Sequence, residues 1–259
     1  MSLGDPIRLE RRSDRARHVR DLLRMEILSG AYRAGSLPSE SELILMFGAT
    51  RNAVREALDL LRRENLVERV PGAGTFVISA KAAHRQDRLL GLAEQLEDRS
   101  RVTVSVLHAG LMRAPKPAAS RLGLEPGTQV VFLERRLFLD GTPLSLWSSY
   151  LPADRAAPLL TADLRRDFYD LAERYLGLEL EGAEVITEAV AADQSMADLL
   201  QLQLGAPILH LERLTREKSG RPFEFGFVWL RGDRIQFVAQ LHRGATEAGT
   251  GSVNSPEAV

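Results

Sequence analysis

The chain has 259 residues, 44% of them apolar and 27% charged, and a formal net charge of −1. That length suits more than one domain, while the near-neutral balance excludes a nucleic-acid binder that works through bulk charge. The absence of cysteine excludes a disulfide framework and a thiolate metal site, and no apolar stretch approaches the length of a membrane span.

In chain order, Val19, Leu22, Leu23 and Ile27 predict an amphipathic helix that ends near Gly30. Ser39, followed three residues later by Glu42, forms a capping box that starts a second helix after Pro38. Leu43, Met46 and Phe47 give that helix one short apolar face, and Gly48 stands where a left-handed residue would end it. Thr50 caps a third helix, in which Val54, Ala57, Leu58 and Leu61 recur at helical spacing as a buried stripe. Its other faces carry Arg51, Asn52 and Arg55, side chains whose donors and acceptors match guanine and adenine edges.

Leu66 to Arg69 and Thr75 to Ile78 flank Pro71-Gly72-Ala73-Gly74, which reads as a glycine-tipped hairpin. Three short helices and a hairpin in this order are the sequence form of a winged helix-turn-helix, so the first part of the chain is expected to bind DNA. From Arg15 to Ala80 ten arginines stand against eight acidic residues, net +2. Attraction to phosphate therefore has to come from placing the arginines on one face.

The order L-P-S-E at Leu37–Glu40, R-x-x-V-R-E-A-L at Arg51–Leu58 and G-x-G-T-F-V at Gly72–Val77 resembles the DNA-binding domain of the GntR family of bacterial regulators. The resemblance implies operator contacts from Thr50, Arg51, Asn52, Arg55 and Gly74, with Ser39 and Thr75 completing the candidate set. Two departures are visible: Ser41 stands where the family usually has arginine, and Ala73 where the wing tip often has a basic residue. Each removes a contact to phosphate or groove that relatives make.

Residues 81–95 read as a linker, polar and basic from Lys81 to Arg88, with Leu89 to Leu96 as a short helix. From Arg101 the period changes to two, with Val102, Val104 and Val106, then Val130 and Phe132, then Leu137 and Leu139. Asp140-Gly141 and Ser219-Gly220 each sit between two strand-like runs and predict hairpins. Helical stretches interrupt the strands at Pro117–Leu122, Asp167–Leu176 and Ser195–Leu202. The fold class expected is α+β in two domains: a winged helix-turn-helix over 15–80, and a mainly antiparallel sheet with helices over 96–243. Residues 244–259 form a small-residue tail expected to be disordered.

Arg135–Pro143 (R-R-L-F-L-D-G-T-P), Tyr150–Pro152 (Y-L-P), F-Y-D-L after Asp167 and G-x-P-F-E-F ending at Phe225 resemble the UTRA effector-binding domain of one GntR subfamily. The segments L-G-L-E-P-G-T-Q-V before Phe132 and L-Q-L-G-A-P-I-L before Leu211 echo each other, as a repeated helix-strand-hairpin unit would. The resemblance implies a chorismate-lyase-like fold, a homodimer, an inverted-repeat operator and a small-molecule effector that changes operator affinity, a repressor relieved by ligand being the family default.

Relatives that bind phosphorylated sugars place an arginine at the position of Arg135 and a glutamate at that of Glu224. Here Leu137 replaces their second arginine, Trp147 an acidic residue, Asp167 a serine and Leu230 a tyrosine. A phosphate needs several donors and no nearby carboxylate, so a less anionic, more apolar or cationic effector is expected. Trp147, Phe227 and Leu230 are its candidate walls, and Tyr169 and Glu188 further candidates. The three walls equally fit a plain core, and Arg135 equally fits a structural salt bridge.

No catalytic residue, cofactor or metal is expected. There is no G-x-S-x-G and no H-E-x-x-H, and the five histidines are scattered. The competing readings are an enzyme of chorismate-lyase-like fold fused to a DNA-binding domain, and a DNA-binding protein whose second domain only dimerises. With no signal peptide or membrane span the expected location is the cytoplasm.

Overall fold

The computed structural model describes residues 12–32, 35–78, 81–85, 89–91, 94 and 101–240. Three helices open the fold: α1 (Arg12–Leu28), α2 (Glu40–Phe47) and α3 (Arg51–Arg63). Leu23, Ile27, Leu43, Val54, Leu61 and Leu66 pack into one buried cluster between them. Leu22 lies one step off the buried face of α1 and is 37% exposed, the stripe being Ala16, Val19, Leu23 and Ile27. In α2 the apolar face is narrower than its sequence suggests, since Leu43 is buried but Met46 is 53% exposed. An eight-residue helix packed on one side has room for one full anchor.

The local signals at the helix ends are realised. Ser39 Oγ accepts from Glu42 N at 3.3 Å, while Glu42 Oε2 accepts from Ser39 N at 2.8 Å. Gly48 takes the left-handed conformation, φ 54°, that terminates α2. Thr50 Oγ1 accepts from Ala53 N at 3.3 Å and starts α3. The wing follows as β1 (Val67–Val70) and β2 (Gly74–Val77), antiparallel, with Val67 opposite Val77. Leu37 N donates to Thr75 O at 2.8 Å and Val77 N to Gly35 O at 2.7 Å. The chain entering α2 is thus tied to the wing.

Residues 81–85 depart from the linker expectation. There β3 (Ala82–Arg85) runs parallel to β10 (Ile235–Val238), near the end of the described chain. A strand whose partner is some 150 positions away leaves no local pattern to read. Most of the short helix expected over Leu89 to Leu96, and the tail over 244–259, fall outside the described residues.

The second part is one six-stranded antiparallel sheet with spatial order β4-β5-β6-β9-β8-β7. Its strands are β4 (Val102–Arg113), β5 (Gln129–Leu139), β6 (Thr142–Pro152), β7 (Leu180–Ala191), β8 (Pro207–Glu217) and β9 (Pro222–Arg231). Helix α4 (Lys116–Leu122) links β4 to β5, and α7 (Gln194–Leu200) links β7 to β8. Each half is therefore strand, helix, hairpin, and the halves meet at β6 and β9 in the middle. The sequence echo is a structural duplication.

Asp140 and Gly141 both have positive φ, 50° and 74°, and close β5 to β6 in two residues, as a primed turn requires. The β8–β9 loop is wider. It runs from Lys218 to Arg221, is closed by Glu217 N donating to Arg221 O at 3.0 Å, and has only Gly220 left-handed.

One face of the sheet packs on α4 through Ala118, Ala119, Leu122 and Phe225, and on α7 through Ala197, Leu200 and Ile208. The other face is covered at one end by β10 and its neighbours. At the other end lie α5 (Ala153–Ala156), a 3-10 turn (Ala157–Thr161), α6 (Phe168–Asp170) and a π-helical turn (Leu171–Tyr175). Phe168, Leu171, Leu159 and Phe223 form the core there.

Candidate nucleic-acid interface and ligand cavity

On the first part, Thr50, Arg51, Asn52 and Arg55 are all exposed along the start of α3. Gly74 begins β2 with φ 116°, a backbone conformation that side chains rarely adopt, and Thr75 lends its carbonyl to Leu37. The hydroxyls of Ser39 and Thr50 are engaged in helix caps. The bonds from the Ser39 hydroxyl and then its backbone hold the Glu42 carboxyl below its ordinary value. Arg69, on the wing strand, escaped the sequence reading. Its Nη2 lies 3.0 Å from Glu40 Oε1, and Arg55 Nε lies 3.2 Å from Glu40 Oε2. Recognition helix and wing are thus bridged through the first residue of α2. At the far end of α3, Glu64 pairs with Arg24 of α1 at 2.7 Å.

The second part holds a partly open cavity of about 60 Å³ between the sheet and the α6 segment. That is room for a few water molecules, so a larger ligand has to widen it or extend through its open side. Arg135, Trp147, Asp167 and Tyr169 line it, together with Gly91, Val102, Val104, Leu137, Arg165, Arg166 and Phe168. Four of the eight residues expected from sequence are brought together here.

The other four are placed elsewhere. Phe227 pairs with Ser148, next to Trp147 in β6, and so points to the opposite face, where it lies beside His210. Glu188 is on that same far face, exposed, 3.7 Å from His210 Nδ1. Leu230 shares the cavity's face but lies deeper along it, 3% exposed among Leu144, Val228 and Ile235. Glu224 sits behind the cavity as its anchor.

That anchor is a buried polar network. Glu224, 1% exposed, accepts from Ser149 Oγ at 2.6 Å, Arg213 Nη2 at 2.7 Å and Thr215 Oγ1 at 2.9 Å. Arg213 also donates from Nη1 to Tyr169 OH at 3.1 Å, and its guanidinium lies 4.5 Å from the Trp147 ring centre. Burial alone would lower the Arg213 pKa, yet Glu224 beside it holds it above the ordinary arginine value. Burial pushes the Tyr169 hydroxyl up to about 12. Arg213 went unnoticed in the sequence, although the duplication marks it: Leu211-Glu212-Arg213 repeats Leu133-Glu134-Arg135 at the matching place on β8.

Arg135 makes no ion pair among the described residues. Its Nη1 donates to the carbonyls of Arg166 at 3.0 Å and Leu164 at 3.3 Å, and burial lowers its pKa to about 10. Its hydrogen bonds go to neutral carbonyls, while the Asp167 and Glu224 carboxylates favour its charged form from a distance. Asp167 caps α6 by accepting from Tyr169 N at 2.9 Å, and burial raises its carboxyl above the ordinary aspartate value. Gly91 lies directly against it: a Cβ there would fall 1.9 Å from Asp167 Oδ2. Leu89 packs into the adjoining core. The segment leading from the three-helix part therefore forms one wall of the cavity. Among the described residues no cluster suits a metal ion, and no helix is long and apolar enough to cross a membrane.

Comparison with known proteins agrees over both parts. The family described as bacterial regulatory proteins, gntR family, matches residues 15–77, and the UTRA domain matches residues 98–236. The HTH-type transcriptional repressor NagR of Bacillus subtilis (strain 168) is 30% identical over 227 residues, covering 87% of this chain and 93% of the relative. A probable fructoselysine utilization operon transcriptional repressor of Escherichia coli (strain K12) is 24% identical over the same shares. Among solved structures, PhnF from Mycobacterium smegmatis aligns with a TM-score of 0.64 at 26% identity, covering 87% of this chain and all of that one.

Proposed function

This chain belongs to the GntR family of bacterial regulators with a UTRA effector-binding domain, a DNA-binding transcription regulator rather than an enzyme, and we propose that its operator affinity is lowered when a small metabolite fills the cavity beside Arg135. The observation that carries this reading is the wall made by Gly91. A ligand that widens the cavity presses on the segment between the two parts, so it binds one arrangement of the chain better than the other. Only such differential affinity can shift an equilibrium, and typical coupling is about 1–3 kcal/mol.

The effector is uncharged or carries one anionic group facing Arg135, with an apolar body against Trp147 and Phe168. A dianionic phosphate is disfavoured by the Asp167 carboxyl on the same wall; Leu137 replaces the second arginine of sugar-phosphate relatives, and Arg165 and Arg166 are the other cations on the lining. The protein acts in the cytoplasm as a homodimer on an inverted-repeat operator, the two-fold of the protein matching that of the DNA. Thr50, Arg51, Asn52, Arg55 and Gly74 make its operator contacts, Arg51 and Asn52 at base edges.

A thermal-shift screen of the full chain against amines, amino acids, fatty acids, aromatic acids and sugar phosphates tests this. A hit among the amino acids, fatty acids or aromatic acids that also releases DNA supports the reading, and release by amines alone contradicts the effector class. Release by sugar phosphates alone contradicts the effector class, and hits that leave DNA binding unchanged contradict the coupling.

A further inference from the structure

We propose that Glu40 is a positioning residue for DNA recognition, aligning Arg55 of the recognition helix with Arg69 of the wing, and that Arg69 is itself a DNA contact. The inference rests on the DNA-binding reading above. Glu40 is the first residue of α2, fixed in place by the Ser39–Glu42 cap and by the pairing of Leu37 with the wing strand. Its carboxylate is 25% exposed and meets Arg55 Nε at 3.2 Å and Arg69 Nη2 at 3.0 Å, whereas the two arginine side chains are 52% and 58% exposed.

The geometry of the grip matters more than its strength. Exposed ion pairs add little to stability, so holding the fold together is a poor account of this bridge. Held through Nε, Arg55 keeps its Nη1 and Nη2 for another partner, and that terminal pair suits two acceptors on a guanine edge or a phosphate. Held through Nη2, Arg69 keeps Nη1 and Nε. The shared carboxylate also screens two like charges on adjacent elements and removes rotamer freedom that binding would otherwise have to freeze.

The opposite consequence is equally definite: a carboxylate beside DNA repels phosphate, and if that effect dominates, Glu40 is a brake. The experiment separates the two. Full-length protein is used to enrich a duplex from a random-sequence library, and affinities are measured for that duplex and for a shuffled one of equal length. Glu40→Gln should weaken binding to the enriched duplex by about tenfold and change the shuffled one by less than about twofold. Added to Arg55→Ala it should cause no further loss on the enriched duplex, because the two act as one unit.

Tighter binding to both duplexes, additive losses with Arg55→Ala, or equal losses on both duplexes with a matching fall in thermal midpoint would each overturn the proposal. Arg69→Ala should weaken both duplexes and reduce the salt slope by about one; an unchanged slope removes Arg69 from the contacts. Failure to enrich any duplex would instead count against the DNA-binding reading itself.

Discussion

Among the charged side chains at or behind the cavity wall, Arg213 and Glu224 are buried and Asp167 is half-buried. Arg213 and Glu224 satisfy each other at 2.7 Å with almost no exposure, so Arg213→Ala leaves a carboxylate without its cation. Breaking such a pair costs about 3–5 kcal/mol, which urea unfolding would read directly. Asp167 presents the reverse situation. Its folded pKa is raised above the ordinary 3.8, so the native state binds the proton more tightly than the unfolded chain does. Stability from this group is full below 3.8 and is lost as pH climbs toward the folded value. Asp167→Asn, which keeps the cap on α6, should therefore unfold at a temperature that gains on wild type as pH rises from about 4 to 8. A gap that stays constant with pH would contradict this. At this scale the sequence was only partly legible. Arg135, Trp147, Asp167 and Tyr169 could be placed beside one another through family motifs, but Phe227 could not, because strand alternation does not say which face holds the cavity, and Leu230 is on that face but beyond the cavity's end. Arg213 lies in a strand of mixed polar and apolar residues, where only the repeat of Leu133-Glu134-Arg135 distinguishes it from its neighbours.

Elements built from adjacent residues were read well, and those built from distant ones were not. The capping box at Ser39, the left-handed Gly48 and the two-residue turn at Asp140-Gly141 are set by side chains within a few positions, and the structure shows each of them. The parallel pairing of β3 with β10 leaves no such trace. The Gly91 contact makes a residue between the two parts a component of the cavity wall. Gly91→Ala should act as a permanent partial ligand. A Cβ at 1.9 Å from Asp167 Oδ2 cannot be accommodated without moving the segment or the carboxylate. DNA affinity without effector should fall within the coupling range, about 1–3 kcal/mol, as fluorescence anisotropy would show. Unchanged affinity would mean that the wall is passive.

The whole molecule is a duplicated sheet joined to a DNA-reading head. Duplication puts α4 and α7 on one face and leaves Phe132, Tyr150, Phe227 and Trp229 half-buried between them, a surface that suits a second copy. Met112 and Ile186, 37% and 49% exposed on the two edge strands, flank it. If dimerisation uses this face, Met112→Lys with Ile186→Lys should give a folded monomer in sedimentation, with an unchanged thermal midpoint at low concentration. A dimer that survives would place the interface elsewhere. The claim that joins the head to the sheet is that filling the cavity releases DNA. It is tested most directly by titrating a thermal-shift hit into the preformed protein–duplex complex, with Arg135→Met as the second sample. The account predicts release from wild type, and from the variant intact DNA binding that no longer responds to the compound; release that is equal in both, or absent in both, would contradict it.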